Sequence, residues 1–315
     1  MMDPIELSGA IEEPALIDET LARGGRKYRT NFQLAVDRFR RQKLGMVGFF
    51  IVLSLLLVAI FAPWIAPTHY ATADLMAVNI FPNRDYPMGT DQIGHNYLSR
   101  VIYGIRTSYL VGFLAVIVAC FIGIPLGLAA GLRGGKTDFV VMRIIEIMTA
   151  FPGLLFAIFL LSVVNSGVMN QLFGNQVLNV VFVIGVTTWV GICRLTRAQM
   201  LSLRERDFVE AAEALGATKF QIAVRHLLPN AIPPLIISIT LLMPTAIFAE
   251  AGLSFLGLGL NEPVPSLGKM VADSRQYIQL YWYLGLFPTL AIALTVIGFA
   301  FLGDGLRDAL DPRQN

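Results

Sequence analysis

Six apolar runs divide this chain, and they restrict its possible folds more than any other feature. They are Leu44 to Ile65, Ser108 to Leu132, Ile147 to Val164, Val177 to Cys193, Ala231 to Leu253 and Leu284 to Leu302, and Glu250 is the one charge among them. A helical bilayer crossing takes about 20 apolar residues. In hydrocarbon every backbone N–H and C=O must be satisfied internally, so runs of this kind fold as helices. Only 15% of the 315 residues are charged, against about 25% in soluble domains. The expected fold class is all-α, a polytopic membrane protein of about six transmembrane helices. A net charge of +2 is too small to imply a nucleic-acid surface.

The polar intervals assign the two sides. Residues 1–43 are expected as an N-terminal tail, acidic at first and basic from Arg23 to Lys43. The charged lead is too long for a signal peptide, and no small-residue cleavage site follows the first run. Residues 44–66 read as the first span, 67–106 as a loop, 107–303 as the core, and 304–315 as a short tail. Six crossings return both ends to one side. Arg133, Lys136, Arg143, Arg194, Arg197, Arg204, Arg206, Lys219, Arg225, Arg307 and Arg313 fall on that side with the basic tail; the opposite side keeps only Arg84, Arg100, Arg106, Lys269 and Arg275. Positive charge collects in the cytoplasm. Both termini and residues 194–229 are therefore expected there, with loops 67–106, 165–176 and 254–283 outside.

The interval Asp207 to Pro229, DFVEAAEALGATKFQIAVRHLLP, is the most informative polar stretch. It reads as two short helices around a glycine corner. Asp207 is a candidate N-cap with Glu210 as its capping-box partner, and Thr218 with Gln221 is a second such pair. Phe208, Ala211, Ala212 and Leu215 recur at helical spacing and share one face. Gly216 follows where a helix end favours positive φ. The first helix, about 12 Å long, is too short to stand alone, and its apolar face needs a partner. Small Ala211 and Ala212 beside Phe208 would let that partner approach closely.

These residues also carry a resemblance. Glu210-Ala211-Ala212, Gly216 and the ending Leu228-Pro229 resemble the EAA loop of ABC-importer membrane subunits, with His226 in place of the usual isoleucine. That replacement is similar to the C-type subunits of the dipeptide/oligopeptide permeases. Gly89, Thr90, Asp91, Gly94, Ser99, Arg100, Tyr103, Gly104 and Arg106 resemble the same branch's outer-loop signature. There His95 and Asn96 replace the Arg-Asp of the pattern. Ser254 to Gly259 with Pro263, Pro265, Ser266 and Gly268 is similar to a second signature, with Leu267 replacing tryptophan, and Gly303 to Asp308 with Asp311-Pro312 to the branch's C-terminal ending. The resemblance covers roughly residues 35 to 313 and implies a type I ABC importer permease in the bacterial inner membrane. It implies a homologous permease as heterodimer partner, two ABC ATPase subunits and an extracytoplasmic solute-binding protein, with membrane lipid around the chain. Phe208, Glu210, Ala211, Ala212, Leu215, Gly216, Leu228 and Pro229 would couple it to the ATPases. Glu210 would serve as a cap or as a charge shown to an ATPase; its position is compatible with either. ATP would sit on the partner subunits, with no cofactor, metal or catalytic residue in this chain.

Ala130 to Thr137, AGLRGGKT, nearly matches a phosphate-binding loop. Such a loop lies between a strand and a helix, whereas this one follows an apolar run and reads as a tight turn. Glu146 and Glu250 lie at span edges and are expected to be paired or solvated. Cys120 and Cys193 sit in apolar runs as small buried hydrophobes, and His69, His95 and His226 show no ligand spacing. A gradient-driven transporter or channel is the alternative function; it would need ionisable groups at mid-membrane depth, and the runs are poor in them. A membrane-embedded enzyme is a third class, for which the chain offers no H-E-x-x-H or G-x-S-x-G pattern.

Overall fold

A computed structural model describes residues 31–166 and 175–310 of the chain. The acidic lead, most of the 165–176 loop and Asp311-Pro312 lie outside the described residues. The described residues form α1 (Asn31–Arg41), α2 (Lys43–Ile60), α3 (Ala62–Ile65), α4 (Tyr97–Arg133), α5 (Gly135–Ala150) and α6 (Gly153–Ser166). There follow α7 (Gln176–Leu203), α8 (Asp207–Ala214), α9 (Lys219–Ile222), a π-turn (Ala223–Leu227), α10 (Leu228–Phe255), α11 (Leu267–Ser274) and α12 (Tyr283–Leu310). Among these residues strand pairing is limited to two isolated bridges, Ala73 with His95 and Thr90 with Asn96.

Five of the helical stretches are long and apolar enough to cross a membrane alone: α2, α4, α7, α9 through α10, and α12. The third apolar run differs from the expected straight span. It is split between α5 and α6, which meet at 96° and qualify only as a pair. The cause is local. Phe151 precedes Pro152, and the proline ring pushes its predecessor out of the helical region; Phe151 has φ −90° and ψ 141°. Counting the pair as one crossing gives six.

Several helices outrun their apolar runs, α4 and α12 among them. α4 starts eleven residues before Ser108, because Asn96 caps it by accepting the Ser99 N–H and Val101, Ile102 and Ile105 bury one side of the added turns. α12 continues through Leu310, and Gln42 donates to Asp308 across 2.7 Å. The start of α2 and the end of α12 therefore share one side.

The core rests on α4 against α7. Gly123, Gly127 and Gly131 form a row on α4 at spacings of four. A Cβ on Gly127 would stand 2.5 Å from the Cys193 carbonyl oxygen, and one on Gly123 2.7 Å from that of Trp189. From the other side, a Cβ on Gly185 of α7 would meet the Val118 Cβ at 2.6 Å. Small residues are what allow membrane helices to pack backbone to backbone. Gly127→Val is expected to force the helices apart at an overpacking cost of about 1–3 kcal/mol, lowering the detergent melting temperature and the membrane abundance. Gly191→Ala, on the same α7 but facing open space, should leave both unchanged in a fluorescence-detected thermal scan.

Candidate functional site

Two regions gather the motif residues. The first is the α8–α9 stretch. Its helix begins one residue earlier than the capping expectation. Arg206, with φ −94° and ψ 145°, is the N-cap residue and supplies no side-chain cap, while Asp207 is already helical. The expected Asp207–Glu210 box is therefore absent; the Glu210 carboxylate is exposed. At the other end the expectation holds. Gly216 has φ +82°. The Ala217 N–H donates to the Ala212 carbonyl at 3.0 Å and the Gly216 N–H to that of Glu213 at 2.9 Å, a glycine-terminated end that satisfies two orphan carbonyls. Thr218 and Gln221 close the second box, Thr218 N–H to Gln221 Oε1 at 2.8 Å and Gln221 N–H to Thr218 Oγ1 at 3.3 Å.

The faces of α8 also differ from the expected grouping. Val209 and Ala212 are buried, packing with Met200, Ile222, Leu227, Ala231 and Leu235. Phe208 and Leu215 point away: Leu215 is 89% exposed, and Phe220 on the next helix 73%. Ala211 is exposed as well, so the two alanines do different things. Ala212 lets α8 sit close on its own protein, and Ala211 keeps the outer surface low. The face expected from spacing missed Val209, because spacings of three and four fit two adjacent stripes on so short a helix.

Beyond α9 the chain runs without a break through the π-turn into α10. Pro229 stands near the start of α10. A proline in a continuous helix lacks a donor and its ring collides with the carbonyl four residues back; the wide π-turn at Ala223–Leu227 opens the ladder there. Leu228 packs against the buried cluster, while Pro229 is exposed.

The second region is the loop between α3 and α4. The Asp91 carboxylate accepts from the Ile93 and His95 N–H groups at 3.0 and 2.9 Å and lies 2.8 Å from His95 Nδ1. Arg100, 3% exposed, reaches Asp91 at 3.4 Å, His95 Nδ1 at 2.9 Å and Glu262 at 2.5 Å. Thr90 Oγ1 accepts from Ile80 N–H at 2.8 Å, and the Thr90 carbonyl accepts from the Tyr283 hydroxyl at 2.8 Å. Ser99 Oγ accepts from Thr68 N–H at 3.1 Å. Gly89 and Gly94 have φ +77° and +87°. His95 and Asn96, where the sequence departs from the signature, thus take structural places: one beside the ion pair, one capping α4. Nothing local in the sequence could have named Glu262 as the partner of Arg100, 162 residues away.

The remaining candidates are structural in geometry. The near phosphate loop is the last turn of α4, then Gly134, then the first turn of α5; Asp138 is held by both the Nε and an NH2 of Arg197 on α7. Glu250 is fully buried and accepts from Ser254 Oγ at 2.7 Å and Ser108 Oγ at 3.3 Å. Glu146 pairs with Arg143 at 2.9 Å in solvent.

Removing Arg100 would leave Asp91 buried without its cation, and breaking such a pair costs about 3–5 kcal/mol. Arg100→Gln is expected to reduce membrane abundance sharply. Glu262→Gln, at a half-exposed partner, should cost far less when the two are compared by immunoblot.

Residues 123–315 match the family described as binding-protein-dependent transport system inner membrane component, and residues 30–83 match the N-terminal TM domain of oligopeptide transport permease C. The chain is 41% identical to the dipeptide transport system permease protein DppC of Alkalihalophilus pseudofirmus, covering 89% of each chain. It is 38% identical to the oligopeptide transport system permease protein OppC of Bacillus subtilis, over 89% of this chain and 88% of the other. A solved chain of the MetNI methionine ABC transporter in an inward-facing conformation superposes with TM-score 0.52 at 20% identity, covering 68% of this chain and 98% of that one. This last likeness shows the fold.

Proposed function

The chain belongs to the binding-protein-dependent transport system inner membrane component family, and from that membership we propose that it is the C-type permease subunit of a bacterial peptide importer. It forms half of a pathway for di- or oligopeptides or a related small solute. The other half comes from a homologous permease. Two ABC ATPase subunits bind and hydrolyse ATP, a solute-binding protein delivers substrate from outside, and this subunit performs no bond chemistry. Family membership sets aside the gradient-driven alternative.

One observation carries the coupling role. Leu215, Phe208 and Phe220 form an exposed apolar ridge on α8 and α9, while Val209 and Ala212 beneath anchor it to α7 and α10. α7 leads into the ridge and α10 leaves it, and both are long enough to cross the membrane. A push on the ridge is therefore delivered to two spans through short, capped helices, as a bistable rearrangement requires. Glu210, exposed beside the ridge, presents a charge to the ATPase surface.

Burying each large ridge side chain contributes about 1.5–3 kcal/mol, less the costs of association. Leu215→Asp and Phe220→Asp should keep membrane abundance while ATPase co-purification falls roughly ten- to hundredfold and uptake falls with it. Ala212→Asp, which faces the chain's own core, should instead deplete the subunit itself. Full uptake in the Leu215→Asp and Phe220→Asp cells would make this stretch a mere linker.

We assign both termini and the α8–α9 ridge to the cytoplasm, on the Lys/Arg asymmetry. A single cysteine at position 219 should react with a membrane-impermeant maleimide only after the cells are opened. Labelling in intact cells would reverse the orientation.

A further inference from the structure

A groove of about 1030 Å³ lies between α2 and α4, with α10 and α12 as its floor. It runs along α4 from Arg106 to Pro125, about 28 Å at helical rise, close to the roughly 30 Å of a bilayer's hydrocarbon core. Its walls and floor are hydrocarbon and aromatic: Leu56 and Ile60 from α2, Phe113 and Phe121 from α4, Met243 and Phe299 beneath. Phe121 is 82% exposed. Thr240 also lines it, but its hydroxyl is already donated to the Ile236 carbonyl at 2.9 Å.

Arg106 is the one charged residue lining the groove. It is exposed, and among the described residues it forms no ion pair. One turn earlier on α4, Tyr103 packs with Tyr70 and His69 at centroid separations of 4.9 and 5.7 Å. Tyrosines gather where a membrane meets water, so Arg106 stands at headgroup depth with hydrocarbon-lined space leading away from it.

We propose that this groove is a phospholipid site: a lipid with an anionic headgroup sets its phosphate on the Arg106 guanidinium and lays its acyl chains along the groove. A guanidinium matches phosphate oxygens with paired donors. Hydrocarbon chains need no hydrogen-bond partners, and below Arg106 the lining offers little beyond the buried Tyr109 hydroxyl. One hydroxyl cannot serve the many amides that a peptide in transit would bury there, and leaving the rest without partners is costly. The site is separate from the coupling ridge, and it stands whichever face is cytoplasmic.

The test uses the assembled transporter purified in mild detergent. The complex is equilibrated with vesicles of equal phosphatidylglycerol and phosphatidylethanolamine, and the retained lipid is extracted and quantified. Wild type should retain phosphatidylglycerol about fivefold over phosphatidylethanolamine, the preference one cation near an anionic surface gives. Arg106→Gln should bring the ratio close to one, Arg106→Lys should keep most of it, and Ile117→Trp, which fills the groove, should lower the total lipid retained. Equal ratios in wild type and Arg106→Gln would overturn the proposal. A photo-reactive residue at position 117 gives a readout independent of those variants. Cross-linking to phospholipid supports the site; cross-linking to a second protein chain assigns the groove to a partner helix and overturns it.

Discussion

The contact between α4 and α7 decides where almost everything else can be. Three glycines on one helix and one on the other bring two backbones to within side-chain-free distance, with ideal Cβ positions falling 2.5–2.7 Å from atoms of the facing helix. In hydrocarbon there is no solvent-driven pressure pressing helices together, so close packing of small residues supplies the association. The row lies in the half of α4 that leads to the α4–α5 turn. It fixes the end of α7, and Asp138 gripping Arg197 fastens the same end to the start of α5. Leu203, the last residue of α7, is four residues from the start of α8. The position of the exposed ridge is thus inherited from a glycine row inside the membrane.

The two ends of the molecule are built on opposite plans. In the loop between α3 and α4 the signature residues point inward. Thr90, Asp91, Ser99 and Arg100 are buried, and their hydrogen bonds and ion pairs reach Ile80, Tyr283, Thr68 and Glu262. On α8 and α9 the apolar side chains Phe208, Leu215 and Phe220 point outward, while Val209, Ala212 and Ile222 hold the helices to the core. Buried, fully partnered polar groups rigidify a structure, whereas exposed contiguous apolar surface marks a place of association. The signature residues of the loop end are satisfied within their own chain, whereas the ridge leaves large apolar side chains uncovered.

This contrast also explains what the sequence could and could not convey. The spans were readable because each is a continuous chemical run, and the Gly216 corner and the Thr218–Gln221 box because each is a contact within a few residues. The Pro152 break was hidden in the third run, because hydropathy is blind to backbone direction; the Phe151-Pro152 pair was the available signal. The first eleven residues of α4 were missed because Arg100 and Arg106 interrupt the apolar count while the buried stripe continues past them. For α8, spacing grouped Phe208 with Ala212, and only the packing of Val209 shows which stripe faces the core. The bond from Arg100 to Glu262 is non-local and left no trace in either segment.

Glu250 shows how the loop end and the spans are joined. Its carboxyl group is enclosed between Ser108 on α4 and Ser254 in its own last turn. Ser108 Oγ also accepts from the Leu267 N–H at 3.4 Å, at the start of α11, and Ser254 Oγ from the Leu260 N–H at 3.1 Å. One buried acid therefore links α4, α10 and the segment between α10 and α12 without any cation nearby among the described residues. A proton relay needs a second ionisable group within reach, and serine hydroxyls committed to backbone N–H groups do not provide one. The arrangement ties α10 to α4 at the end remote from the ridge. With that end tied by hydrogen bonds and the ridge end held by the apolar packing of Val209, Ala212 and Ile222, a force applied at the ridge would tilt α10 about its serine-bound end rather than slide it along its axis.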